Sequence, residues 1–124
     1  ANCGCEYEWG VHAALFADRL GFDEGRLSAL AGGSLDGIEW AEEERLLIRL
    51  ADALHASGDV DEALWNALQQ YWSHAELIEM LMIVGLYRMV SLVANVLRVP
   101  NESFASRRLL PSRPQREEIM PGSA

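Results

Sequence analysis

Apolar residues recur along this chain at intervals of three and four. No stretch alternates with the period of two that a half-buried strand needs. The pattern therefore predicts an all-α fold. Residues 7–20 place Val11, Leu15 and Leu20 near one face, with Gly21 positioned to close the helix in a left-handed conformation. Asp23 caps a short helix over 24–31, which Gly32, Gly33 and Ser34 break. Residues 40–56 give the strongest amphipathic stripe, with Leu46, Leu47, Leu50 and Leu54 at its centre and Glu42, Glu43 and Glu44 at the favourable end of the helix dipole. Ser57-Gly58 ends it. Asp59 with Glu62 has capping-box spacing and predicts a helix over 60–72. Ser73 with Glu76 has the same spacing and opens the longest helix, 74–99, stopped by Pro100.

That last helix is apolar on most sides, which places it inside a domain or between subunits. Gly85 lies within it and costs about 1 kcal/mol relative to alanine, a cost that close packing of another helix or a ligand would offset. The longest uncharged apolar run, 80–87, is too short to cross a bilayer. Beyond residue 100 the period dissolves. Pro111, Pro114 and Pro121 among scattered charges predict an extended or mobile tail over 101–124, after a single helical domain over 1–100.

Composition narrows the partners. Half of the 124 residues are hydrophobic, enough for one real core. A formal charge of −9 repels phosphate backbones and anionic lipid, so neither nucleic acid nor a membrane is the expected partner. Two cysteines, Cys3 and Cys5, are too few for a disulfide-built secreted scaffold, and the expected location is cytoplasmic.

Candidate chemistry gathers near the start. Glu8 and His12 are four apart on a helix and share a face, so the carboxylate can orient and charge the imidazole as an acid–base pair. The same spacing also describes an ordinary surface pair. Cys5 precedes His12 by two helical turns, at a helix N-terminus that favours a thiolate, with Cys3 as the one candidate resolving thiol. An idle structural thiol is the plainer alternative. Cys3, Cys5, Glu8 and His12 fit no common zinc spacing, and no metal or other cofactor is expected. His55 and His74 read as helix-end residues, Met80, Met82 and Met89 as core filling, and Trp40, Trp65 and Trp72 as anchors.

The run Cys5-Glu6-Tyr7-Glu8-Trp9-Gly10-Val11-His12 resembles the Y-E-W-x-x-H signature of the carboxymuconolactone decarboxylase family. Glu44-Arg45-Leu46-Leu47-Ile48 with Asp52-Ala53-Leu54-His55, Asp61-Glu62-Ala63-Leu64-Trp65, and Leu77-Ile78-Glu79 with Gly85-Leu86-Tyr87-Arg88-Met89 and Asn95 resemble its later helices in order and spacing. The resemblance implies an AhpD-like helical bundle assembled as a homo-oligomer, commonly a trimer or hexamer, acting on a small molecule. Some members decarboxylate lactones from aromatic-acid breakdown, and others reduce peroxides with a C-x-x-C pair followed by histidine. Here Cys5 and His12 match that redox motif, but Glu8 stands at the second cysteine. The usual dithiol cannot form, which favours acid–base work by Glu8 and His12, with Tyr7 and Trp9 lining the pocket. Thiol-dependent peroxide reduction at Cys5 and a non-catalytic oligomeric scaffold are the alternatives. Family members also carry a longer region before this motif, containing a further acidic residue.

Overall fold

The computed structural model describes residues 1–105. It contains five helices and, among the described residues, no strand: α1 (Glu6–Leu20), α2 (Glu24–Leu30), α3 (Glu42–Ser57), α4 (Glu62–Leu68) and α5 (His74–Leu97). The all-α expectation holds.

Most boundaries follow local signals. Gly21 closes α1 at φ 65°, a left-handed conformation that costs glycine no Cβ clash. Asp23 Oδ1 accepts from the Arg26 amide at 2.8 Å to start α2. At α3 the Glu44 side chain accepts from the Ala41 amide at 2.9 Å, and the alanine has no side chain with which to reciprocate. The cap of α4 is Asp61, not Asp59: Asp61 Oδ1 accepts from the Leu64 amide at 2.7 Å, while Asp59 bonds the amide of Val60 in the preceding turn. This helix is also shorter than the period predicts. After Leu68 the chain tightens, with amides of Gln70 and Tyr71 donating to the carbonyls three residues back, so the apolar spacing continues through a turn. Ser73 and Glu76 form the expected capping box. The Ser73 amide donates to Glu76 Oε2 at 2.7 Å, and the Glu76 amide donates to Ser73 Oγ at 3.4 Å.

The main core is a leucine cluster, Leu46 and Leu50 of α3, Leu64 and Leu68 of α4 and Leu77 of α5, with Trp65, Trp72 and Met80 packed around it. A second, smaller cluster joins Ala13 and Ala17 of α1 to Leu27 of α2, flanked by Trp9 and Phe22. The buried face of α1 thus runs through Gly10, Ala13 and Ala17, and Leu15 and Leu20 are exposed, contrary to the sequence expectation. Small residues let a neighbour approach closely where leucines would hold it away. Gly10 shows this directly: a Cβ there would lie 3.0 Å from the Ala105 carbonyl oxygen. Residues 101–105 accordingly pack back on α1, with Ala105 buried; the remainder of the expected tail, 106–124, lies outside the described residues.

α5 is divided. Leu77, Ser91 and Ala94 face inward, but Ile78, Met82, Met89, Leu92 and Val96 are largely exposed. Of the three methionines read as core filling, only Met80 packs on a core cluster. Counting uncharged runs also understates this element. The 24-residue helix is long and apolar enough to cross a membrane by length and composition, with a window of mean hydropathy 1.9, of which 17% is buried.

Leu68 is completely buried, so Leu68→Ala is expected to destabilise the fold by about 2–5 kcal/mol in urea unfolding. The Glu76 carboxyl is held below its ordinary value of 4.5 by the Ser73 amide and hydroxyl. A depressed carboxyl stabilises the folded state above the unfolded value and loses that contribution as pH falls through the folded one. Below pH 4.5, wild-type stability should therefore decline toward that of Glu76→Gln, narrowing the gap measured at pH 7 by thermal unfolding.

Candidate functional site

A cleft of about 630 Å³, within the size range of small-molecule sites, is lined by residues of α1, α3 and α5 and of the connection between α2 and α3. Helix α1 presents Glu8 and Trp9 to it and, one turn further on, His12, as the helical period requires. Across from them α5 presents Tyr87, Arg88 and Ser91.

The imidazole of His12 is fixed by its own helix. Nδ1 lies 2.8 Å from the Glu8 carbonyl oxygen and 3.5 Å from Glu8 Oε2. A carbonyl oxygen only accepts, so Nδ1 carries the proton and Nε2 of the neutral ring is left as the base. The Tyr87 ring meets the imidazole edge-on at 4.9 Å, and Phe16 flanks it at 5.8 Å. The His12 side chain is 39% exposed and that of Glu8 17%, so solvent protons reach the ring while the carboxylate beside it is partly withdrawn from water.

The other sequence candidates separate. Trp9 lines the cleft; its indole N–H is buried with no acceptor among the described residues, as is that of Trp40, another lining residue. Tyr7 does not line it. Its hydroxyl donates to Glu102 Oε1 at 3.3 Å, and desolvation, followed by the charge and hydrogen bond of Glu102, pushes the phenol above its ordinary value of 10.0. Cys5 is the N-cap of α1, 3% exposed and absent from the cleft lining. Cys3 is partly exposed and lines it. Both thiols are free. The segment carrying Cys3 is tied down at both sides: Asn95 Nδ2 donates to the Cys3 carbonyl at 3.0 Å, and Asn2 Nδ2 donates to Asp52 Oδ1 at 2.9 Å. Among the described residues no group of three or more His, Cys, Asp or Glu side chains gathers as metal ligands.

Three residues gain a place here that periodicity did not assign. His55, read as a helix-end residue, lines the cleft from the last turn of α3. Arg88 lines it without a hydrogen-bond or ion-pair partner among the described residues, which leaves its guanidinium available to an anionic group. Arg26 supports the wall. Its guanidinium sits 4.9 Å from the Trp40 ring centroid, pairs with Glu44 at 3.2 Å, and donates to the Glu39 carbonyl at 2.7 Å. That an arginine without a partner among the described residues lines the same cleft as a carboxylate–imidazole pair is visible only once α1 and α5 are placed together.

The fold and cleft define a small all-helical protein with a ligand-sized, largely apolar site and a few polar groups around it. Comparison with family models, with curated proteins and with solved structures gives no match in any of the three.

Exposure ranks the thiols: Cys3 should react with iodoacetamide in the native protein well before Cys5, as read by peptide mass spectrometry. Equal rates in native and urea-unfolded protein would contradict the burial of Cys5.

Proposed function

We propose that this chain is a small-molecule lyase of the carboxymuconolactone-decarboxylase type, with His12 and Glu8 carrying proton transfer in the cleft. One observation carries the reading. The Nδ1 hydrogen of His12 is committed to the Glu8 carbonyl, so Nε2 of an oriented, solvent-reachable imidazole is the group that exchanges protons. Residue identities in the run from Cys5 to His12 supply the family resemblance; the geometry supplies a chemistry consistent with it.

In this reading Arg88 holds a substrate carboxylate, and Trp9 and Tyr87 flank its apolar body. Cleavage of a carbon–carboxylate bond expels carbon dioxide and leaves the electron pair on the substrate as an enolate. Protonated His12 delivers its Nε2 proton to that carbon, and the ring returns to neutral with Nδ1–H still on the Glu8 carbonyl. The Glu8 carboxylate lies 3.5 Å from Nδ1, on the same side of the ring as the carbonyl that orients it. Solvent then restores the proton.

His12→Gln should lower carbon dioxide release from carboxylated lactones by about 10²- to 10⁴-fold, the range of a general acid, with the helical circular dichroism unchanged. Turnover unaffected by that change would remove the reading. Thiol-dependent peroxide reduction draws on a different observation, the position of Cys3 in the cleft lining. It assigns the attacking thiol to Cys3, because Cys5 is buried outside that lining.

A further inference from the structure

After α5 the chain turns back on itself. Arg98 adopts a left-handed φ of 52°, its amide and that of Val99 donate to the Ala94 carbonyl, and Pro100 cannot continue the helix. A tight turn follows, in which the Ala105 amide donates to the Glu102 carbonyl at 3.0 Å. Residues 99–105 thus form a strap that leaves the end of α5 and reaches the first two turns of α1.

The strap meets α1 at two points one turn apart. The Tyr7 hydroxyl donates to Glu102 Oε1 at 3.3 Å. At Gly10 the approach is to backbone: a Cβ there would stand 3.0 Å from the Ala105 carbonyl oxygen and 3.2 Å from the Ala105 Cβ, and Ala105 is 4% exposed. Glycine costs the interior of a helix about 1 kcal/mol against alanine, and this close approach is what it permits here. The later turns of α1 rest elsewhere, on Leu27 of α2 through Ala13 and Ala17.

At 3.6 residues per turn, Tyr7 and Gly10 fall on the side of α1 away from Glu8 and His12. The strap therefore backs the helix while the cleft fronts it. His12 in turn faces Tyr87 of α5, with ring centroids 4.9 Å apart. Helix α5 supplies both the wall that the imidazole faces and, through its continuation, the support behind it. We infer that the strap 99–105 is a positioning element for His12, with Ala105 against Gly10 fixing how far α1 stands into the cleft and Glu102 latching Tyr7. Gly10 and Ala105 act through α1. The inference concerns where the imidazole stands and not the reaction assigned to it, so its test reads no turnover.

The test is nuclear magnetic resonance of the full chain. Ala105→Asp places a charge in the buried contact without altering α1. Gly10→Leu fills the seat of the strap while leaving a strong helix former in α1. In both, the ring-proton signals of His12 should move toward those of free histidine as the ring leaves Tyr87. The amides of Val11 and His12 should exchange with deuterium about tenfold faster, the mark of a local opening, while those of Leu50 and Leu68 keep their rates. Tyr7→Phe removes one hydrogen bond and no packing, and should move the same His12 signals in the same direction by less. It decides alone if the other two variants do not fold: unchanged His12 signals in Tyr7→Phe then overturn the inference. Where they fold, His12 signals and α1 exchange that stay at wild-type values in both overturn it. So does equal acceleration at Leu50 and Leu68, because the strap would then support the whole domain and not one wall of the cleft.

Discussion

The interlock of five leucines, Leu46, Leu50, Leu64, Leu68 and Leu77, is the contact on which the rest of the structure depends. It holds three helices together where no strand ladder or disulfide does so among the described residues. Leu77 lies in the first turn of α5, directly after the Ser73–Glu76 capping box. The cap fixes where the helix begins, and the leucine fixes how it leans on α3 and α4. The cleft lies farther along α5, at Tyr87, Arg88 and Ser91, so its wall is positioned by packing several turns away.

The other side of the cleft is built by a different device. Helix α1 meets its neighbours through Gly10, Ala13 and Ala17, small residues that exchange hydrophobic area for close approach. That choice leaves the larger side chains of α1, Leu15 and Leu20, outside, and places Glu8, Trp9 and His12 along the cleft. Polar tethers add precision: Asn95 and Asp52 hold the segment before α1, and Arg26 joins Trp40, Glu39 and Glu44 into one support. Burying Leu15 would turn the helix and carry His12 away from Tyr87, so the exposed leucines and the oriented imidazole are two results of one packing arrangement.

Helix α5 carries more apolar surface than one small domain can cover. One side completes the core and the cleft; the other presents a regular apolar seam interrupted by an open glycine. A chain of this size has limited interior volume, and among the described residues the outer side of α5 stays uncovered. The division explains why the methionines part company, Met80 with the leucine cluster and Met82 and Met89 outside it.

The helical class, the order of the five helices, the closing of α1 at Gly21 and the opening of α5 at Ser73 are all legible in the amino-acid sequence. These are local matters, decided by periodicity, left-handed glycine and side chains bonding amides within one turn. The Glu8–His12 pair was legible for the same reason, because four residues is one helical turn. The end of α4 at Leu68 was not, since an apolar period runs equally through a helix and a tightened turn. Which side of α1 faces inward, which cysteine reaches the cleft, and that Arg88 and His55 border it were decided only by tertiary structure. Each depends on the distance between residues remote in the chain, and helical period assigns residues to a face without saying what that face will meet.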